Sequence, residues 1–273
     1  MGNVTNYVEN MNRKFMKSAV ATAIAVSSLV AHATGTATGP NSVYIEQVGN
    51  SNTITIEQVG GTNTVGGTAN TTTVANTGVT TLVAVAPGTT NYGTITGSSN
   101  TLAITQTGNA NSAQYNIKGS QNTYTSTVSG NTNQTNLTMG DANTNTTQSN
   151  VTETVTGDSN TIIQTVVGNN INSTNTITGN SNQVTNELKS SNGTVTNTVV
   201  GNSNVFNSQQ IDTAGANGHR LTMNTTGDFN SITTQQQGFN DTTINIATNG
   251  SNNTITVRSS SAAIVNPVSA IPR

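Results

Sequence analysis

The chain has 273 residues, with 10 acidic and 8 basic side chains, a formal net charge of −2 and no cysteine. So weak and scattered a charge excludes an electrostatic binder of nucleic acid or of a charged membrane surface, and the missing cysteine excludes a disulfide-braced scaffold. Hydrophobic residues make up 31%, roughly 40% with the 26 glycines, below the about 45–50% of ordinary globular domains, which excludes a single large apolar core.

Residues 1–33 carry a basic cluster (Arg13, Lys14, Lys17), an apolar run from Ser18 to Val30, and Ala31-His32-Ala33. That is the three-part layout of a secretory signal peptide, with small residues at the cleavage positions. A run of about thirteen residues is too short to span a bilayer, which needs about twenty. Starting at Met11 rather than Met1 would put the basic residues directly at the N-terminus; the sequence leaves both starts open. Residues 34–42 then read as a flexible lead-in with Pro40. Past the signal the chain keeps five basic residues (Lys118, Lys189, Arg220, Arg258, Arg273) against nine acidic ones, a net charge of about −4.

From Val43 to Asn63 the chain states one sentence twice, eleven residues apart. Ile45, Gln47, Gly49 and Asn52 are answered by Ile56, Gln58, Gly60 and Asn63. Side chains alternate faces along a strand, so Val43, Ile45 and Gln47 point one way while Tyr44 and Glu46 point the other. Each arm is a short strand closed by a G-x-x-N corner. Glycine gives the corner access to positive φ, and asparagine tolerates the same region.

Composition alone, rich in Asn, Thr, Gln, Ser and Gly, fits a disordered or an amyloid-prone chain equally well. The period decides. Corners begin at Gly49 and Gly60, run through Gly97, Gly108, Gly119 and Gly130, and resume at Gly157, Gly168, Gly179, Ser190 and Gly201. The last start at Gly227, Gly238 and Gly250. Inward rows such as Asn100, Leu102, Ile104 and Gln106, or Asn230, Ile232, Thr234 and Gln236, keep period two. An eleven-residue arm cannot bury its inner face alone. Two arms facing each other make a rung of about 22 residues, and stacked rungs bury a narrow continuous core. The expected fold is therefore all-β, an amyloid-like β-solenoid over residues 43–258, irregular at 64–96, with a C-terminal tail at 259–273. The phase slips at three places: Gly60 to Gly97, Gly140 to Gly157, and around Asp212 to Arg220. Such insertions usually leave as loops at the corners.

The string I-x-Q-x-G-x-x-N stands intact at Ile45–Asn52, Ile56–Asn63 and Ile104–Asn111. It resembles the repeat of curlin, the subunit of curli, the amyloid fibres on the surface of Gram-negative bacteria. The resemblance implies a secreted β-solenoid subunit, export through an outer-membrane pore, and homopolymerisation into biofilm and adhesion fibres started by a nucleator subunit. It also implies ladder roles for Gln47, Gln58 and Gln106 and for Asn52, Asn63 and Asn111; Gln164 and Gln236 are added as inward amides of later arms. Ile117, Val128 and Met139 depart from the pattern, standing where glutamine is expected.

No residue set points to an enzyme, a cofactor, a metal or a small-molecule substrate. Glu46 and Glu57 lie outward on successive arms and hence on opposite faces of a rung. Asp141, Asp158 and Asp228 follow corner glycines, where Asp forms turns and can act as a charged gatekeeper against aggregation. His219 has neither Cys nor a second His after the signal to work with. The alternative to a fibre subunit is a soluble solenoid binding module, an adhesin or an ice-binding protein. Outward pairs such as Thr53/Thr55, Thr123/Thr125 and Thr254/Thr256 suit it, while Gln114, Lys118, Asn136 and Glu187 interrupt a flat threonine array.

Overall fold

The computed structural model describes residues 28–34, 41–66, 93–212, 218–238 and 240–260. Most of the expected signal peptide and lead-in, the centre of the irregular stretch and the tail past Ser260 lie outside the described residues.

Period-two alternation yields strands throughout. The first are β1 (Ser28–Thr34), β2 (Ser42–Val43), β3 (Ile45–Val48), β4 (Thr53–Val59), β5 (Thr64–Val65), β6 (Gly93–Thr96) and β7 (Thr101–Thr107). The middle ones are β8 (Ser112–Ser120), β9 (Thr123–Ser129), β10 (Gln134–Met139), β11 (Thr146–Thr147), β12 (Asn150–Thr156), β13 (Thr161–Val167) and β14 (Asn172–Thr178). The last are β15 (Gln183–Lys189), β16 (Thr194–Val200), β17 (Val205–Asp212), β18 (Arg220–Thr226), β19 (Ser231–Gly238), β20 (Thr243–Asn249) and β21 (Thr254–Ser260).

Alternate arms enter alternate sheets. Sheet A has the order β1-β4-β7-β9-β12-β14-β16-β18-β20, and sheet B runs β2-β5-β8-β10-β13-β15-β17-β19-β21. Every pairing is parallel, and arms meet in register, as in Thr101↔Thr123 and Asn150↔Asn172. The chain is an all-β solenoid of about eight turns, about 23 residues apart. A clean rung advances 22 residues, and the excess comes from the slips: 27 at Thr123↔Asn150, 26 at Thr194↔Arg220 and 23 at Arg220↔Thr243. Register survives each one, because a loop that leaves the stack costs the ladder nothing.

The core is a thin seam between the sheets. Leu102, Ile104, Ile117, Tyr124, Leu137, Ile162, Phe206 and Ile232 are all within 1% of full burial. Each rung contributes only a few such side chains, so burial comes from stacking rather than from any one rung.

The first slip does not leave at a corner. Val43 pairs with Val65 and Ile45 pairs with Gly93, while Tyr44 N–H donates to Val65 O and Gly93 N–H donates to Tyr44 O. Residues 64–66 and 93–96 together therefore build one ordinary seven-residue arm, interrupted in mid-strand between Gly66 and Gly93. The two glycines answer two needs. Gly66 has φ of +67°. At Gly93, an added Cβ would lie 2.3 Å from Cζ and 2.5 Å from Cε1 of Tyr115 on the next rung. The ring of Tyr115, itself 3% exposed, fills the space a side chain would take. Gly93→Ala is expected to destabilise the solenoid by about 1–3 kcal/mol through overpacking. In a double-mutant cycle monitored by urea unfolding, Tyr115→Leu should recover most of that loss, since Leu137 serves the same column one rung on. Equal losses with Tyr115 and with Leu would rule out the steric origin.

Candidate functional site

The repeated corner is the feature the sequence singles out, and its geometry explains each position. The corner glycine has φ near +125° at Gly49 and Gly157. A Cβ there would also strike the carbonyl of the next corner, 1.9 Å from Gly97 O in the case of Gly49. Close stacking of corners therefore demands glycine twice over. The second left-handed residue is the third of the corner, and it is usually not asparagine: Ser51, Ser99, Ser159, Ser181 and Ser203 have φ of 55° to 58°. The conserved-looking asparagine of G-x-x-N is instead turned inward.

There the asparagines form ladders. At the corners leading into sheet B, Asn41, Asn63, Asn111, Asn133, Asn160, Asn182, Asn204, Asn230 and Asn253 stack without a break. From Asn41 to Asn230 each Oδ1 accepts the backbone N–H, and from Asn63 to Asn230 also the Nδ2, of the asparagine one rung on; Asn182, for example, gives 2.9 and 3.1 Å to Asn160 Oδ1. Nδ2 also donates to a corner carbonyl, as Asn160 does to Gly179 O at 2.7 Å. The carboxamide thus satisfies groups that a tight corner would leave orphaned. The opposite corner starts the same way, Asn52, Asn100 and Asn122, then changes to Ser149 and Ile171. Further along that corner, Nδ1 of buried His219 lies 3.0 Å from Thr242 Oγ1, and Thr242 N–H donates to it at 3.2 Å.

Glutamine forms ladders only where neighbours permit. Gln58 Nε2 donates to Gln106 Oε1 at 2.9 Å, and Gln210 Nε2 to Gln236 Oε1 at 2.9 Å. Gln47 is paired in register with Ile95, and neither of its buried amide atoms has a partner. Ile45, Ile56 and Ile104 take the inward positions their strings assign; Ile56 and Ile104 are register partners on β4 and β7, while Ile45 lies on β3 in the other sheet. Gln164 serves a different cluster. Glu153 is fully buried between the sheets, its Oε2 accepting from the Tyr124 hydroxyl and its Oε1 from Gln164 Nε2, each at 2.7 Å. Ser173 Oγ donates to Gln164 Oε1 at 2.6 Å. The polar seam continues through Asn175, Asn186 and Asn197 by bonds of 2.9–3.0 Å. Burial pushes the Glu153 carboxyl up from 4.5 to about 7, outweighing the Tyr124 and Gln164 bonds that favour its charge. The Tyr124 hydroxyl is itself held well above the ordinary range by burial and by Glu153.

Sequence reasoning missed Glu153 and also a buried ladder on the side of sheet B away from the seam. Gln209 Nε2 donates to Glu187 Oε2 and Gln235 Nε2 to Gln209 Oε1, each at 2.9 Å, and Lys189 pairs with Glu187. Of the exposed acids, Asp158 accepts from Asn131 N–H at 2.6 Å and Asp228 from Asn202 N–H at 2.6 Å, within a second, solvent-facing ladder. Asp141 instead closes a turn onto the amides of Asn143 and Thr144, which lower its pKa. Glu46 and Glu57 fall on β3 and β4, in different sheets. Among the described residues no group of three or more His, Asp or Glu side chains could hold a metal ion.

The first rung carries two complete strings with inward Asn52 and Asn63. Residues 39–65 match the family model for the curlin associated repeat. No curated protein and no solved structure matches the chain. The curlin associated repeat so matched runs from the lead-in to the first half of the split arm. The same corner, with inward asparagine and glycine against glycine, recurs geometrically through Asn253, well beyond the matched segment.

Proposed function

We propose that this chain is a secreted structural subunit that stacks end on end into extracellular curli-like fibres, serving adhesion and biofilm cohesion. Its partner is then chiefly a second copy of itself, with a nucleator subunit and an outer-membrane secretion pore as accessory partners, and no nucleic acid. The curlin associated repeat supports the reading, as does the fold, whose repeat family is structural rather than enzymatic. The observation that carries it is the state of the ends. Strands β20 and β21 pair on one side only among the described residues, and the inward Ile244 and Ile246 of β20 are 7% and 8% exposed, against 0–1% for the same columns inside the stack. A parallel in-register edge with an opened core is a template for another rung.

Strand β1 bears on the other end. It lies in register on β4, from Ser28↔Thr53 to Thr34↔Val59. Cleavage after Ala33, the expected signal-peptidase site, would remove six of its seven residues and leave that edge of β4 open to a second copy.

A head-to-tail joint uses both ends, so blocking either should stop growth. Alternate residues of a parallel strand bond to opposite neighbours. Tyr44 faces the next rung through Val65 and Gly93, so Ile45 N–H faces the open edge. By the same alternation Thr256 N–H faces the open edge of β21. Proline at either place deletes an edge donor without breaking a bond inside the subunit. In seeded growth of protein beginning at Thr34, wild type should form fibres with a cross-β repeat of about 4.7–4.8 Å. Ile45→Pro and Thr256→Pro should each slow elongation at least tenfold. Growth unaffected by both changes would sink the end-on joint. A second reading, a soluble binding module, gains support from one surface described next.

A further inference from the structure

The residues that break up a threonine array in the linear sequence all fall on one sheet. Gln114 and Lys118 lie on β8, Asn136 on β10 and Glu187 on β15, every one in sheet B. Sheet A is free of them. On β9, β12, β14 and β16 its outward positions read T-x-T-x-T-x-S, N-x-T-x-T-x-T, N-x-T-x-T-x-T and T-x-T-x-T-x-V, in strict register. One column is Thr125, Thr152, Thr174 and Thr196; the next is Thr127, Thr154, Thr176 and Thr198. The rows continue past them in Ser129, Thr156 and Thr178.

We propose that the outer face of sheet A is a binding face for ordered water, that is, for the surface of ice. The spacing is set by the fold, with threonines about 4.7–4.9 Å apart between rungs and about 6.6 Å apart along each strand. Repeat distances of this order recur between oxygen atoms on the prism faces of hexagonal ice. The two columns are also chemically uniform, with Asn150, Asn172 and Val200 only at their margins. From β7 to β16 no outward position carries a charge, the nearest being Glu57 on β4 and Arg220 on β18. An uncharged lattice of hydroxyls matches an uncharged lattice of water, where a fixed charge would hold a disordered hydration shell.

A second observation points the same way. None of the eight hydroxyls in the two columns bonds to another group of the protein, whereas the hydroxyls of Thr94 on β6 and Thr147 on β11 bond to Asn116 and Asn169. Each threonine therefore presents a free hydroxyl and a methyl group side by side, and stacking removes the entropy that would otherwise be lost in lining them up. No Tyr, Phe or Trp stands on this face, so a polysaccharide would find no ring to stack on. The inference rests on the solenoid alone, and holds whether or not the subunits polymerise; polymerisation would lengthen the face.

The test is adsorption of the full secreted chain, labelled at its C-terminus, to a slowly growing ice hemisphere. Wild type should be enriched in the ice at least tenfold over a non-binding protein of similar size, and should inhibit recrystallisation. The pair Thr154→Tyr and Thr174→Tyr should abolish both effects while leaving circular dichroism and seeded fibre growth unchanged, since tyrosine is a good strand residue. Asn136→Tyr, outward on sheet B, should leave adsorption unchanged. Exclusion of wild type from the ice would overturn the proposal, and so would equal adsorption by the double variant. Wild type that ignores ice but binds crystalline cellulose or chitin would overturn the choice of ligand. Because fibre growth is read separately, failure here and failure of the fibre reading are distinguishable.

Discussion

Replacing Asn160 by alanine is expected to cost the fold about 3–5 kcal/mol, the sum of a few buried polar groups left unpaired at about 1–3 kcal/mol each. The side chain makes four bonds. Its Oδ1 accepts Asn182 N–H and Nδ2, and its Nδ2 reaches Asn133 Oδ1 and Gly179 O. Alanine leaves Asn182 N–H and Gly179 O without those partners at a 1% exposed site where water does not enter freely. Asn180, two residues before Asn182 at the same corner, is the control. It is exposed, and its Oδ1 accepts a single backbone bond from Asp158 N–H at 2.7 Å, so Asn180→Ala should stay within about 0.5 kcal/mol of wild type. Urea unfolding of both variants, with hydrogen exchange at Asn182, would read the difference. Similar losses for the two would mean that the ladder aligns rungs without holding them together.

Stability should fall as pH rises through about 7, and Glu153→Gln should abolish most of that fall. The folded carboxyl keeps its proton up to about 7 while an unfolded one releases it near 4.5, chiefly because burial penalises the charge. The folded state therefore binds more protons between those values, so the contribution is complete below 4.5 and is lost as pH rises to 7. The full difference amounts to about 3 kcal/mol. Among the described residues no cationic side chain offsets it. Across the seam Glu153 meets Tyr124, whose hydroxyl stays protonated, and neutral Gln164; its register partners Ser126 and Asn175 are also neutral. Glutamine keeps the shape and cannot ionise, so the variant should be nearly flat from pH 5 to 8 and more stable than wild type at pH 8. A wild type with no slope over that range would show that the carboxyl is neutral throughout or that water reaches it.

The fold was legible because the corner advertises itself. Glycine is forced there by φ and by the next corner's carbonyl, asparagine by the orphaned groups, and together they print an eleven-residue period into an otherwise featureless composition. Gln58 and Gln106, both inward in their strings, stand one rung apart and bond at 2.9 Å. What stayed hidden was sheet membership. Arms alternate between sheets, and each slip of five or four extra residues changes the count from which the next arm is assigned. Hence Gln114, Asn136 and Glu187 read as breaks in a surface they do not share. Glu153 was concealed for a related reason, since its arm follows a corner of Gln148 and Ser149 with neither the usual glycine nor asparagine to set its phase. Gln47 reads like Gln58 in sequence, but its partner one rung on is Ile95, and no local pattern says so. Gly66 and Gly93 look like two scattered glycines in a glycine-rich stretch, because 26 residues separate them in sequence and only the pairing of both halves with β2 and β3 brings them together.

The halves of that split arm, residues 64–66 and 93–96, are aligned by the rungs on either side, through Tyr44 and Gln114. Closing a longer loop costs only about 0.6 kcal/mol for each doubling of its length. The junction between Gly66 and Gly93 should therefore tolerate a change in the length of what joins them. A guest peptide or small domain whose ends lie close together could be exchanged for residues 67–92, and every subunit would then carry its cargo at the same place on the sheet B side of the rod.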